Sequence, residues 1–84
     1  MRQLLFFFAP WCQPCRLMEK ELIIPLERLV PPDSIRRIDA QAHPQIAEKY
    51  DVRRLPTAML VENDNWVDYV LPDDLERVIS FLGG

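Results

Sequence analysis

The stretch that decides the fold is FFFAPWCQPCRLMEK, residues 6–20. An apolar run stops at Pro10, two cysteines follow three positions apart, and a helical pattern begins at once. Residues 3–9 are rich in Phe and show no polar alternation beyond Gln3. That is the pattern of a central strand covered on both faces. Pro14 suits an early helical position, where its missing N–H costs little. Leu17, Met18, Leu22, Leu26, Leu29 and Val30 then form an apolar helical stripe. Pro25 deletes a backbone hydrogen bond within it and crowds the preceding turn, so a kink or break is expected there. Pro31 and Pro32 end the helix.

Working outward, residues 34–39 read as a second strand with Ile35 and Ile38 as its apolar members, and residues 44–50 as a short helix opened by Pro44. Residues 57–62 and 66–71 read as two strands joined through Asn63, Asp64 and Asn65, a turn-forming cluster. Pro72 is expected to open a last helix, with Asp73 and Asp74 complementing its N-terminal dipole. Leu75, Val78, Ile79 and Leu82 would be its buried stripe, and Gly83-Gly84 its stop. The order is βαβ, a short helix, then ββα: an α/β chain with a four-stranded mixed sheet and helices on both faces. The first two strands, joined through a helix, should be parallel.

With 84 residues, the chain reads as one domain over its whole length. Its apolar share of 49% is that of a globular protein, and a net charge of -3 argues against a general nucleic-acid binder. No apolar run approaches the roughly 20 residues of a membrane span. A monomer is expected. The start, Met1-Arg2 before Leu4 to Ala9, touches the short limit of a secretory leader, but no small-x-small site follows. Trp11 also stands where a lipid-anchoring signal needs a small residue. The run therefore reads as a strand and the chain as cytoplasmic, where thiols stay reduced. A chain already trimmed of its leader would read the same.

Cys12 and Cys15 are the only cysteines. A structural zinc site wants four ligands. His43 is the one histidine, and Asp39 the only further candidate. A structural disulfide closing so short a loop removes little unfolded-state entropy. Redox chemistry suits the setting best. A pair placed where a strand hands over to a helix meets free N–H groups and a partial positive charge, both of which favour a thiolate. In such motifs the first cysteine's pKa falls from about 8.5 to about 7 or lower. Cys12, at the exposed edge, would attack a substrate disulfide as the thiolate, and Cys15, one turn further in, would resolve the mixed disulfide.

WCQPC at 11–15 resembles the WCxPC active site of the thioredoxin-like family, and YDVRRLPTAML at 50–60 resembles the segment that holds that family's cis-proline. The two motifs stand in the family's order with one strand and one helix between them. The resemblance covers nearly the whole chain and implies a minimal, glutaredoxin-sized thioredoxin fold that starts at the central strand. It implies a thiol–disulfide oxidoreductase acting on protein disulfides. Its redox group would be the Cys12–Cys15 pair with no other cofactor and no metal, and its electrons would come from a partner reductase or glutathione. Cys12 matches the nucleophile, Cys15 the resolving cysteine, and Pro56 the cis-proline. Leu55 would offer its backbone to an extended substrate strand. Trp11 matches a flanking tryptophan, with core packing as its ordinary alternative.

The departures are specific. Gln13 replaces the usual glycine before Pro14, at a position that tunes the thiolate. Phe6 stands where family members carry a buried aspartate that moves the resolving cysteine's proton, so a slower resolving step is expected. Arg53 and Arg54 read first as solvated, and otherwise as groups that lower the Cys12 pKa or steer acidic partners. LPDDLERV at 71–78 resembles half of the glutathione-binding GGxDDL helix start of glutaredoxins, but Val70 and Leu71 replace the glycines. A glutathione-dependent reductase and a non-catalytic interaction module are the alternatives.

Overall fold

The computed structural model describes residues 1–83. Four strands form one sheet: β1 (Arg2–Phe8), β2 (Ile35–Asp39), β3 (Thr57–Glu62) and β4 (Asn65–Val70), in the order β2-β1-β3-β4. β1 runs parallel to β2 and antiparallel to β3, and β3 pairs antiparallel with β4. Helices α1 (Gln13–Met18), α2 (Ile24–Glu27), α3 (Pro44–Lys49) and α4 (Leu75–Leu82) complete the layers. This is the minimal thioredoxin arrangement, with the cysteines at the exit of a central strand.

β1 holds the molecule together because it is covered on both sides. Leu4, Leu5, Phe6 and Phe7 are each no more than 1% exposed. Alternation along the strand divides them. Leu4 and Phe6 join the core under the first helical segment and α4, whereas Leu5 and Phe7 join Ile38, Met59, Val61 and α3's Ala47 on the other face. Phe6 stacks on Phe8 at 5.8 Å between ring centroids, and Phe7 meets Tyr50 at 6.2 Å.

The break expected at Pro25 takes a definite form. A π-helical turn, Glu19–Ile23, separates α1 from α2, and Pro25 falls in the first turn of α2, where its missing N–H costs least. Met18, Leu22, Ile23 and Leu26 are the buried stripe. Leu17 and Leu29 are not part of it, at 56% and 49% exposure. Leu17 lies off the line of four-residue steps that runs from Met18 to Leu22 and Leu26, and Leu29 falls beyond the end of α2.

The last helix also departs from expectation. Pro72 and Asp73 form a turn, and α4 begins at Leu75. Asp74 is the N-cap by position, but its side chain makes no cap bond. It turns back instead: Oδ2 accepts the Leu71 N–H at 2.7 Å and Arg77 Nη2 at 2.9 Å. The Arg77 bond and the Leu71 N–H hold its carboxyl below the usual aspartate range. Val78 and Leu82 are buried; Leu75 and Ile79 are partly so. At the sheet edge, Arg77 Nη2 also donates to the Tyr69 carbonyl, while the Tyr69 N–H donates to Asp68 Oδ1.

Three non-glycine residues occupy left-handed backbone: Asp51 after α3, and Asn63 and Asp64 between β3 and β4. Both central residues of the hairpin turn have positive φ, 51° and 67°, the turn that matches strand twist. The strand ends otherwise shift by one residue. Ser34 belongs to a 3-10 turn before β2, and β4 starts at Asn65.

Candidate active site

The β1 run ends at Pro10, and the chain turns through an N–H of Cys12 that donates to the Ala9 carbonyl at 3.1 Å. Cys12 is then the N-cap of α1, with Pro14 inside the first turn. Its Sγ accepts the Cys15 N–H at 3.2 Å. Sulfur thus occupies the place a serine or aspartate oxygen takes in ordinary caps, on one of the helix's orphan donors. A thiolate there is favoured by that N–H and by the positive end of the helix. The two cysteines are joined as a disulfide, with Cα atoms 5.3 Å apart.

Cys12 is not at an exposed edge in this oxidised state. It is 4% exposed and Cys15 3%, both within the core cluster that contains Ala9 and Met18. The Cys12 sulfur is bonded to Cys15 within this cluster, a burial that the spacing alone does not reveal. Trp11 shows the reverse. Core packing is excluded, because the side chain is 68% exposed and its Nε1–H donates to Gln41 Oε1 at 3.1 Å. Gln13 and Pro14 are exposed on the first turn of α1.

The loop before β3 brings the second motif to the same end of the sheet. The Leu55–Pro56 peptide is cis, and both residues are half-buried. Two grooves meet there. One, about 840 Å³, runs from Met18 past Pro56 to Val70 and Leu71; the other, about 520 Å³, reaches Trp11. Arg53, Arg54 and Leu55 line both. Arg53 is paired with Asp51 at 3.0 Å and lies largely in solvent, as does its partner. An ion pair this exposed contributes little. Arg54 is exposed, and its carbonyl accepts the Thr57 hydroxyl at 2.6 Å.

Beside the cysteine pair, Phe6 is 1% exposed and lines, with Phe8, Ala9 and Pro10, a solvent-open cavity of about 270 Å³ that Cys15 also lines. No proton-accepting side chain comes from β1 here. The cavity's polar rim is Arg16, Glu19 and Lys20. Glu19 belongs to no motif that marks it as a site residue. Its signal is its place four residues after Cys15, one helical turn on the same face. Among the described residues, no three His, Cys, Asp or Glu side chains converge on a point that could hold a metal ion. Asp39 Oδ1 is occupied by the Gln41 and Ala42 N–H groups at 2.9 and 3.1 Å.

Known proteins agree with this arrangement. The chain is 35% identical over 81 residues to a thioredoxin of Chlamydia caviae, covering 92% of this chain and 78% of that one. It is 30% identical over 76 residues to a DnaJ homolog subfamily C member 10 of Xenopus laevis, covering 90% of this chain. A mutant thioredoxin from Halobacterium salinarum superposes with a TM-score of 0.79 at 29% identity, over 96% of this chain and 74% of that one. Coverage of the relatives is uneven: the chain spans 10% of the Xenopus protein's length and 61% of a Porphyra purpurea thioredoxin's. The thioredoxin family's sequence profile matches residues 1–82. With that match and a disulfide-bonded CxxC at the strand–helix junction, the chain belongs to the thioredoxin family.

Proposed function

We propose that the chain is a thiol–disulfide oxidoreductase that reduces protein disulfides through Cys12 and Cys15. The observation that carries this reading is the Cys12 sulfur seated as the cap of α1, accepting the Cys15 N–H. In the reduced protein the Cys12 thiolate attacks one sulfur of a substrate disulfide. A Cys12–substrate disulfide forms and the other substrate sulfur leaves as a thiolate, taking a proton from solvent. Cys15 loses its proton and attacks the Cys12 sulfur. The Cys12–Cys15 disulfide forms, the substrate is released reduced, and two electrons have passed to it.

The substrate strand would lie across the cis peptide, pairing with the Leu55 backbone where the two grooves meet. Pairing through main chain gives affinity with little sequence preference. Trp11 would flank the bound strand. Gln13 and Pro14 would tune the thiolate, and Arg53 and Arg54 would face the approaching partner. In the cytoplasm, the compartment we propose, the direction is reductive and a partner reductase restores the dithiol. A glutathione-dependent reading loses support because the Asp74 carboxylate is already occupied by Leu71 and Arg77.

Insulin disulfide reduction tests the proposal. Turnover with a thioredoxin reductase is expected, and Cys12→Ser should abolish it. Full activity of Cys12→Ser would end the reading. Turnover with glutathione alone would favour the glutaredoxin-like alternative, and no turnover with either donor a non-catalytic module.

A further inference from the structure

The cavity beside Cys15 poses a chemical problem and contains an answer to it. Cys15 is 3% exposed, yet it must give up a proton to resolve a mixed disulfide. On the β1 side the cavity offers Phe6, Phe8, Ala9 and Pro10, whose side chains accept no proton. Of the three charged side chains on the rim, Arg16 and Lys20 are donors and Glu19 is the one acceptor.

Glu19 is well placed. Its backbone N–H bonds to the Cys15 carbonyl, so it sits one helical turn from Cys15. Side chains so related lie on one face with Cβ atoms about 5–6 Å apart. Arg37, reaching across from β2, fixes the carboxylate: Nε meets its two oxygens at 2.9 and 3.0 Å, and Nη2 meets one at 2.8 Å. Arg37 is itself shared with Glu27 of α2. A carboxylate has about four acceptor positions, so the fork leaves some free for water. The cavity, about 270 Å³, is roomy enough for several waters at about 30 Å³ each. The Glu19 side chain is 30% exposed, which gives a received proton a way out.

We propose that Glu19 accepts, through cavity water, the proton that Cys15 gives up in the resolving step. The proposal rests on the thiol–disulfide reading above. The Cys15 S–H bond breaks and water passes the proton to the Glu19 carboxylate. The freed electron pair on Cys15 forms the bond to the Cys12 sulfur as the Cys12–substrate bond breaks. The departing substrate thiolate takes a proton from solvent, and Glu19 returns its own to solvent. No outside oxidant or reductant enters this step.

Stopped-flow release of two thiols from a disulfide peptide separates attack by Cys12 from resolution by Cys15. In Glu19→Gln the first release should keep its rate, and the second should slow on the order of tenfold to a hundredfold at neutral pH. The deficit should close at alkaline pH, where bulk hydroxide deprotonates Cys15 unaided. Glu19→Asp should recover part of the rate. Glu27→Gln disturbs the same Arg37 network but leaves the cavity carboxylate, and should resolve normally. The proposal is overturned if Glu19→Gln resolves within twofold of wild type across that range, if its deficit is independent of pH, or if Glu27→Gln slows equally. A wild-type protein that releases neither thiol would instead defeat the oxidoreductase reading itself.

Discussion

The two faces of β1 carry the same residue under the same burial and meet different neighbours. Phe6 and Phe7 are adjacent, both essentially inaccessible, and each packs against an aromatic ring. Phe7 meets Tyr50, whose hydroxyl reaches the Asp64 carbonyl at 3.1 Å, so that face ties α3 to the hairpin turn. Phe6 walls the cavity that touches Cys15. Burial alone does not tell the two phenylalanines apart. The identity of the neighbour does.

Four substitutions test that contrast. Phe6→Asp should have the largest effect. It removes a core ring and places a carboxylate in an apolar wall, a loss of at least about 5 kcal/mol. In the folded fraction it should accelerate mixed-disulfide resolution, read by single-turnover thiol release beside a denaturant curve. Loss of stability with no acceleration would mean the Phe6 face is as inert as the other. Phe7→Ala should cost about 3–5 kcal/mol while leaving the reduction rate per folded molecule unchanged. A slower rate at full folding would erase the distinction between the faces.

Two smaller changes probe what covers each face. Asp74→Asn loosens the turn leading into α4, which packs on the Phe6 side, and should cost about 1 kcal/mol at neutral pH. Because the folded Asp74 carboxyl titrates below its ordinary range, its contribution is complete above that range and disappears as pH falls through the folded value. The stability difference between wild type and Asp74→Asn should therefore narrow on acidification; a constant difference would assign the loss to packing. Asp64→Gly relieves a left-handed residue in the hairpin beneath the Phe7 side. It should raise stability by about 0.5 kcal/mol in thermal melts, the unfolded-state entropy of glycine offsetting part of the gain.

Much of this architecture is legible in the chain because strong local signals agree with one another. The unalternating run through Leu4 and Phe7 identifies a two-sided strand, Pro25 marks a helix defect, and Asn63-Asp64 marks a hairpin. What the sequence conceals depends on side chains folding back. Asp74 looks like a helix-start acid, but its oxygen finds the Leu71 N–H first. Cys12 looks like an exposed thiol, but in the disulfide state it lies within the core cluster. Leu17 fits a helical stripe by eye and misses it by a fraction of a turn. Glu19 carries no motif at all. Its interest appears only when the π turn, β2's Arg37 and the cavity that Phe6 lines are seen together.

The turns that use Asp51, Asn63 and Asp64 instead of glycine have a consequence in the denatured chain. The sequence has 2 glycines, both at its end, and 8 prolines. Few residues in the unfolded ensemble wander freely through left-handed space, and many have φ already restricted. Folding therefore gives up less disorder than it would in a glycine-rich chain of this length. For a domain with so small a core, part of its stability is drawn from the poverty of its alternatives.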